Sequence, residues 1–165
     1  MTFLIDGYNL MHAAGLATRA MPPAQFDRAR ERFLDWLADG IVGRGTTVRV
    51  VFDAQQAPSP SLESVHRGVR VRFAFRRTAD DLIEELVAVE PKPAALTVVS
   101  NDSRVRESGR RAECLLATCE EFIDWLITPP TDGPPRGSPE ADKPEPTPTD
   151  VDELHDVFSK PTPKL

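Results

Sequence analysis

From residue 2 to about residue 127, short apolar runs of strand length alternate with stretches whose apolar residues recur at helical spacing. That alternation predicts an α/β domain in three layers: a central, mostly parallel sheet with helices on both faces. Five strands are expected, over Phe3–Ile5, Thr47–Phe52, Val69–Phe75, Leu96–Ser100 and Ala112–Leu116. The second and fourth are β-branched and nearly all apolar, as strands buried on both faces must be. The third alternates: Val69, Val71, Phe73 and Phe75 project to one side, and Arg70, Arg72 and Ala74 to the other, which predicts one solvated face.

Three amphipathic helices are expected between and after these strands, beside a short one after Asp102. Pro22-Pro23 opens the first, whose apolar stripe is Phe26, Ala29, Phe33, Trp36 and Leu37, and Gly40 is expected to close it. The second runs from about Ala79 to Val89 with Leu82, Ile83, Leu86 and Val87 inward, until Pro91 and Pro93 stop it. The last begins at Thr118, where Glu121 completes a capping box, and packs Phe122, Trp125 and Leu126. The domain is expected to cover residues 1–128. From 129 to 165, proline recurs among Thr, Ser, Gly and acids, a composition that predicts a disordered tail. Within it, Val151, Leu154 and Phe158 share one helical face, so 151–158 is a candidate docking helix.

Charge alters this picture only after it is divided by region. The formal net charge of −6 is shared unevenly, with sixteen Lys and Arg against eighteen Asp and Glu in residues 1–128 and four against eight in the tail. The domain is therefore nearly neutral, and its positive charge is almost all arginine, the residue suited to bidentate phosphate contacts. Asp6 and Gly7 interrupt the first apolar run too early for an export signal, and no run is long enough to span a bilayer, so a cytoplasmic protein with no membrane partner is expected. Cys114 and Cys119 fit neither a zinc pair nor a disulfide framework and are expected to be reduced, semi-buried residues.

Open parallel sheets bind ligands at the carboxyl ends of their strands. Here those ends are acidic: Asp6 follows the first strand, Asp53 the second, Asp80 and Asp81 the third, and Asp102 the fourth. Hard oxygen ligands gathered at one hydrated rim suit Mg²⁺ or Mn²⁺, which polarises a phosphodiester and generates hydroxide near neutral pH. Each acid also has a structural alternative. Asp102 can cap the helix after it, Asp81 can complete a capping box with Thr78, and Asp53 can stabilise a turn. Asp6 stands apart because Gly7 follows it, a residue that lets backbone approach a ligand closely. Glu84, one helical turn beyond Asp80, can face the same rim or simply be solvated. Tyr8 can stack on a base there or pack over the strand end. His12 and His66 lack partners at metal-ligand spacing.

Four motifs, taken in order, resemble the YacP-like NYN domains, a branch of the PIN-like nucleases: Phe3-Leu4-Ile5-Asp6-Gly7-Tyr8-Asn9-Leu10, Val50-Val51-Phe52-Asp53-Ala54, Thr78-Ala79-Asp80-Asp81-Leu82-Ile83-Glu84 and Val98-Val99-Ser100-Asn101-Asp102. The resemblance covers most of residues 2–127. It implies a PIN-like fold and an RNA endonuclease in which Asp6, Asp80 and Asp102 bind divalent metal and Asn9 lies beside the scissile phosphate. Asn101 departs from the family pattern, which places a Ser or Thr directly before the last Asp; Ser100 sits one residue further back and is a candidate metal or water ligand. Asp53 and Asp81 are expected to support the site from behind.

A haloacid-dehalogenase phosphatase would need a second Asp where Tyr8 stands, and a dinucleotide site would need more glycines than Gly7 alone. The remaining alternative is a PIN-like domain without catalysis that serves as an RNA-binding or scaffold module. RNA is the expected partner, held by Arg70, Arg72, Arg76 and Arg77 with Arg67 beside them. The tail is the candidate arm for a ribosome or another RNA-processing partner.

Overall fold

Phe3, Leu4 and Ile5 are wholly buried because β1 (Thr2–Asp6) occupies the middle of the sheet. It pairs in parallel with β2 (Thr47–Asp53) on one side and β5 (Leu96–Val99) on the other. This computed structural model describes residues 1–53 and 63–129. The tail from residue 130, with the candidate docking helix at 151–158, lies outside the described residues.

Outward from the centre, β2 pairs in parallel with β4 (Val69–Ala74), β4 pairs antiparallel with β3 (Glu63–His66), and β5 pairs in parallel with β6 (Leu115–Ala117). The result is a six-stranded, mostly parallel sheet in the order β3-β4-β2-β1-β5-β6. Helices α1 (Gly7–Ala13), α2 (Pro23–Ile41) and α5 (Cys119–Ile127) bury Leu10, Phe33, Leu37 and Phe122 with Phe3, Ile5, Val50 and Phe52 on one face. Helices α3 (Ala79–Ala88) and α4 (Ser103–Arg111) bury Leu82, Ile83 and Val105 with Leu4, Val51 and Val98 on the other. The alternation of side chains along β1 thus feeds two cores at once. Among the described residues no helix is long and apolar enough to cross a membrane.

The expected α/β layering is present, with several corrections. The sheet has six strands rather than five, because β3 escapes the apolar pattern: Glu63-Ser64-Val65-His66 is a mostly exposed edge strand with Val65 in solvent. It turns into β4 through Arg67-Gly68, both at positive φ (46° and 91°), the geometry of a tight hairpin that matches strand twist. Arg67 in that turn is anchored to Asp35 and Asp39 of α2 at 3.3 and 2.7 Å. The final strand lies at Leu115–Ala117, not Ala112–Leu116. Ala112 caps the end of α4, its N–H donating to the Ser108 carbonyl oxygen, and Glu113 takes a left-handed conformation (φ 61°) that reverses the chain before β6.

Phe75 does not extend the third strand, which ends at Ala74 and leaves Phe75 49% exposed. Ala74, expected on a solvated face, is covered by α3, whereas Arg70 on the same side remains exposed where no helix reaches. Gly40 does not close α2, which continues to Ile41. A Cβ at residue 40 would stand 2.5 Å from the Leu126 side chain, so this glycine permits α2 and α5 to touch. Helix α1, which its short apolar run did not announce, begins directly at the end of β1. Both cysteines are reduced and buried.

Candidate active site

Because β1, β2 and β5 run parallel and in register, their carboxyl ends come out together, and the acid that ends each strand arrives at one rim. Asp6 is the deepest, only 4% exposed. It caps α1, accepting the Asn9 backbone N–H on Oδ1 at 3.2 Å and the Asn9 side-chain amide on Oδ2 at 3.1 Å. Ser100, at the end of β5 and wholly buried, donates its hydroxyl to Asp6 Oδ2 at 3.3 Å. Burial raises the Asp6 pKa, and the hydrogen bonds from Asn9 and Ser100 act against that rise. Gly7 makes this start possible differently from expectation. A Cβ there would lie 2.4 Å from the Phe52 ring, so the space it leaves is filled by core rather than by ligand.

Ser100 also accepts the Asp102 N–H on its hydroxyl oxygen at 3.0 Å, so one side chain links the first and last acids of the rim. Asn101, between them, points elsewhere: it accepts the Cys119 N–H at 2.9 Å and donates to Glu120, tying β5 to α5. Ser100 thus reaches both acids from two residues before Asp102. Asp102 caps α4 through Oδ1, which accepts from the N–H groups of Arg104 and Val105 at 2.8 and 3.2 Å. Its second oxygen has no hydrogen-bond partner among the described residues.

Helix α3 carries four acids, and they divide sharply. Asp81 completes the Thr78 capping box and meets Arg104 of α4 at 2.7 Å, which lowers its pKa. Glu84 meets the same guanidinium at 2.9 Å, and Glu85 pairs with Arg77. Asp80 alone makes no hydrogen bond or ion pair among the described residues. Its pKa is pushed up to about 6, first by desolvation and then by the negative charges of Asp6 and Asp102, with Arg104 opposing and Asp53 adding slightly. That mutual repulsion places Asp80, Asp6 and Asp102 in one electrostatic neighbourhood. Asp53 stands at its margin, where its carboxylate accepts the Ala79 N–H at 2.7 Å and fastens the start of α3 to the end of β2.

Oxygen-only donors and crowded negative charge fit a hard divalent cation by their chemistry. Among the described residues, however, no group of three or more His, Cys, Asp or Glu side chains is arranged to hold a metal ion as it stands.

The expected RNA-binding residues have partners of their own. Arg70 and Arg72 lie on β4 and share Glu63 of β3 at 3.9 and 3.1 Å, and Arg76 lies over the Phe75 ring at 5.2 Å. Tyr8 packs against Phe26 and meets His12 through its hydroxyl at 3.2 Å, while His66 meets Asp35 at 2.9 Å. Helix α4 also carries arginines that the apolar pattern does not single out. Their signal is the run Ser103-Arg104-Val105-Arg106 directly after the Asp102 cap, which sets basic residues in the first turn of a helix that begins at the rim.

The family model for the YacP-like NYN domain matches residues 3–130. A crystal structure of a single-substitution mutant of Rae1 (YacP) from Bacillus subtilis is similar at 26% identity and a TM-score of 0.56, over 76% of this chain and 74% of that one. A second crystal structure, of Rae1 (YacP) from Bacillus subtilis without that substitution, is similar in fold at 24% identity and a TM-score of 0.58, over 76% and 73% of the two chains. No curated protein matches this chain.

Proposed function

The chain belongs to the YacP-like NYN domain family, a PIN-like nuclease fold, and we propose from that premise that it is a metal-dependent endoribonuclease hydrolysing RNA phosphodiester bonds. The observation that supports this most is the isolation of Asp80. Three of the four acids on α3 share two arginines, and the fourth, Asp80, makes no hydrogen bond or ion pair among the described residues, its pKa raised to about 6 by desolvation and by the charges of Asp6 and Asp102. Such an arrangement costs stability in a folded protein unless a cation relieves it.

In this reading Asp6, Asp80 and Asp102 hold Mg²⁺ or Mn²⁺, and the ion, when bound, supplies Lewis-acid polarisation of the phosphodiester and a nucleophilic hydroxide. The protein's own part is orientation. Asn9 grips both oxygens of Asp6 and fixes its carboxylate, with its own amide beside the scissile phosphate. Ser100 couples Asp6 to the start of the loop that carries Asp102. Arg104 draws Asp81 and Glu84 away from the rim, which leaves Asp80 as the α3 acid available to an ion.

Incubating the full chain with structured and unstructured RNAs in Mn²⁺, Mg²⁺ or EDTA and mapping the ends tests the proposal. Internal cleavage that needs a divalent metal is expected; no cleavage of any RNA in either metal refutes it. One observation favours a second reading, an RNA-binding or scaffold module without catalysis: among the described residues the acids do not already form a closed coordination group. A live site will gain thermal stability with Mn²⁺, and an inactive one will not.

A further inference from the structure

Immediately beyond Asp102, α4 lines an open cleft of about 630 Å³ whose walls are Asn101, Ser103, Arg104, Arg106, Glu107 and Arg110. Its lining carries three guanidinium groups and one carboxylate; Arg104 and Arg110 are ion-paired, with Asp81 and Glu84 and with Glu107, and Arg106 has no carboxylate partner among the described residues. We propose that this cleft is the channel for the RNA backbone, its arginines holding consecutive phosphates so that the strand runs along α4 onto the acidic rim. The inference rests on the nuclease reading for its substrate and adds the route by which that substrate arrives.

The arginines differ in how they are held, and the differences suit this role. Arg106 is half-buried, donates to the Ser100 carbonyl oxygen at 3.4 Å, and has no carboxylate partner among the described residues. It touches the residue that bridges Asp6 and Asp102, so a phosphate on Arg106 lies next to the acids. Arg104 and Arg110 are more than half exposed; Arg110 pairs with a half-exposed Glu107, and Arg104 with the less exposed Asp81 and Glu84. Exposed pairs of this kind are worth little in water and yield readily to a phosphate that offers two acceptor oxygens to one guanidinium. Arg104 and Arg110 lie six residues apart, which separates them by about 9 Å along the helix axis, a distance that reaches more than one phosphate of a strand.

The chemistry also says what the cleft does not read. No aromatic side chain lines it, and Asn101, the one amide there, is committed to Cys119 and Glu120. Without stacking platforms or free base-reading groups, recognition is by backbone charge, and binding will depend on salt far more than on sequence.

The test measures binding rather than cleavage. Fluorescence anisotropy of a labelled oligouridine of about a dozen nucleotides is followed over a salt series in EDTA, for the full-length wild type and for a variant carrying Arg106→Gln and Arg110→Gln. The expected result is about tenfold weaker binding at 0.1 M salt and a log–log salt slope shallower by about 1.4, because two phosphate contacts on a single strand are lost. Arg106→Lys keeps the charge, and with it the slope; Arg110→Gln alone, on an exposed side chain, will remove about half of the change. Arg70→Gln with Arg72→Gln serves as the control patch and is expected to leave the slope near wild type. Unchanged affinity and parallel slopes in the α4 variant overturn the proposal, as does a wild type that does not bind the oligouridine. If wild type cleaves RNA while the α4 variant binds normally, the channel fails alone. If the variant loses binding but no RNA is ever cleaved, the channel stands and the nuclease reading fails.

Discussion

Helices α3 and α4 lie side by side on the same face of the sheet and are opposite in charge. Helix α3 carries Asp80, Asp81, Glu84 and Glu85 and no basic residue, whereas α4 carries Arg104, Arg106, Arg110 and Arg111 against Glu107. Both are short, both bury an apolar stripe on the same core, and both start from a side-chain cap at the rim, so the fold alone does not require the contrast. The contrast teaches where work is divided. Arg104 crosses from one helix to the other and is shared by Asp81 and Glu84, and Asp80 is the one α3 acid without an ion pair or hydrogen bond among the described residues. An acidic helix and an arginine-rich one stand next to each other, joined by the ion pairs of Arg104.

The largest effect is expected from erasing the unpaired acid. Asp80→Asn preserves shape and removes the charge, and metal-dependent RNA cleavage should fall about a thousandfold with an unchanged circular dichroism spectrum; activity within a few-fold of wild type would return Asp80 to the status of an ordinary surface acid. Breaking the bridge comes next. Arg104 lowers the Asp80 pKa, so Arg104→Gln should move the protonation midpoint of Asp80 above about 6 and tighten Mn²⁺ binding about threefold at alkaline pH. Titration calorimetry at several pH values measures both, and weaker Mn²⁺ binding would show that the bridge organises the site instead of merely tempering it.

A smaller effect is expected from the other arginine group. Arg70 and Arg72 lie on β4 and do not line the α4 cleft, so replacing both with Gln should change RNA affinity by no more than about twofold. A tenfold loss would move the RNA path to β4 and leave the α4 cations without a purpose. The smallest effect concerns stability without metal. Asp80 has a folded pKa of about 6 against 3.8 as a model group, so the native state binds more protons than the unfolded state between those values. Stability in EDTA should therefore fall as pH rises from about 4 to about 6, by about one or two degrees of melting temperature, and Asp80→Asn should remove that share of the slope.

Much of this was legible in the sequence. The parallel core, the helices opened by Pro22-Pro23 and by Thr78 and Thr118, and the acids following β1, β2 and β5 all follow from apolar period and capping chemistry, which act locally. What was not legible depends on partners distant in sequence. Strand β3 pairs through backbone and carries almost no apolar signal, and its turn uses Arg67 where Asn or Asp is the usual cue, with the strain offset by contacts to α2. Gly40 read as a helix end because nothing local reveals that Leu126 packs on it. Asp53 and Asp81 looked much like Asp80 on paper. Only the tertiary arrangement places Ala79 against the first and Arg104 against the second, and leaves the third alone.

The rim's central property is an unpaired, proton-binding Asp80 that a divalent cation would satisfy, and the thermal shift on adding Mn²⁺, measured for wild type and Asp80→Asn at pH 5 and at pH about 8, tests it most directly. Wild type should gain several degrees at the higher pH and much less at pH 5, where Asp80 holds its proton, while Asp80→Asn should gain little at either. Equal stabilisation of both proteins at both pH values would mean that Mn²⁺ binds elsewhere, and would contradict the assignment of this rim as the metal site.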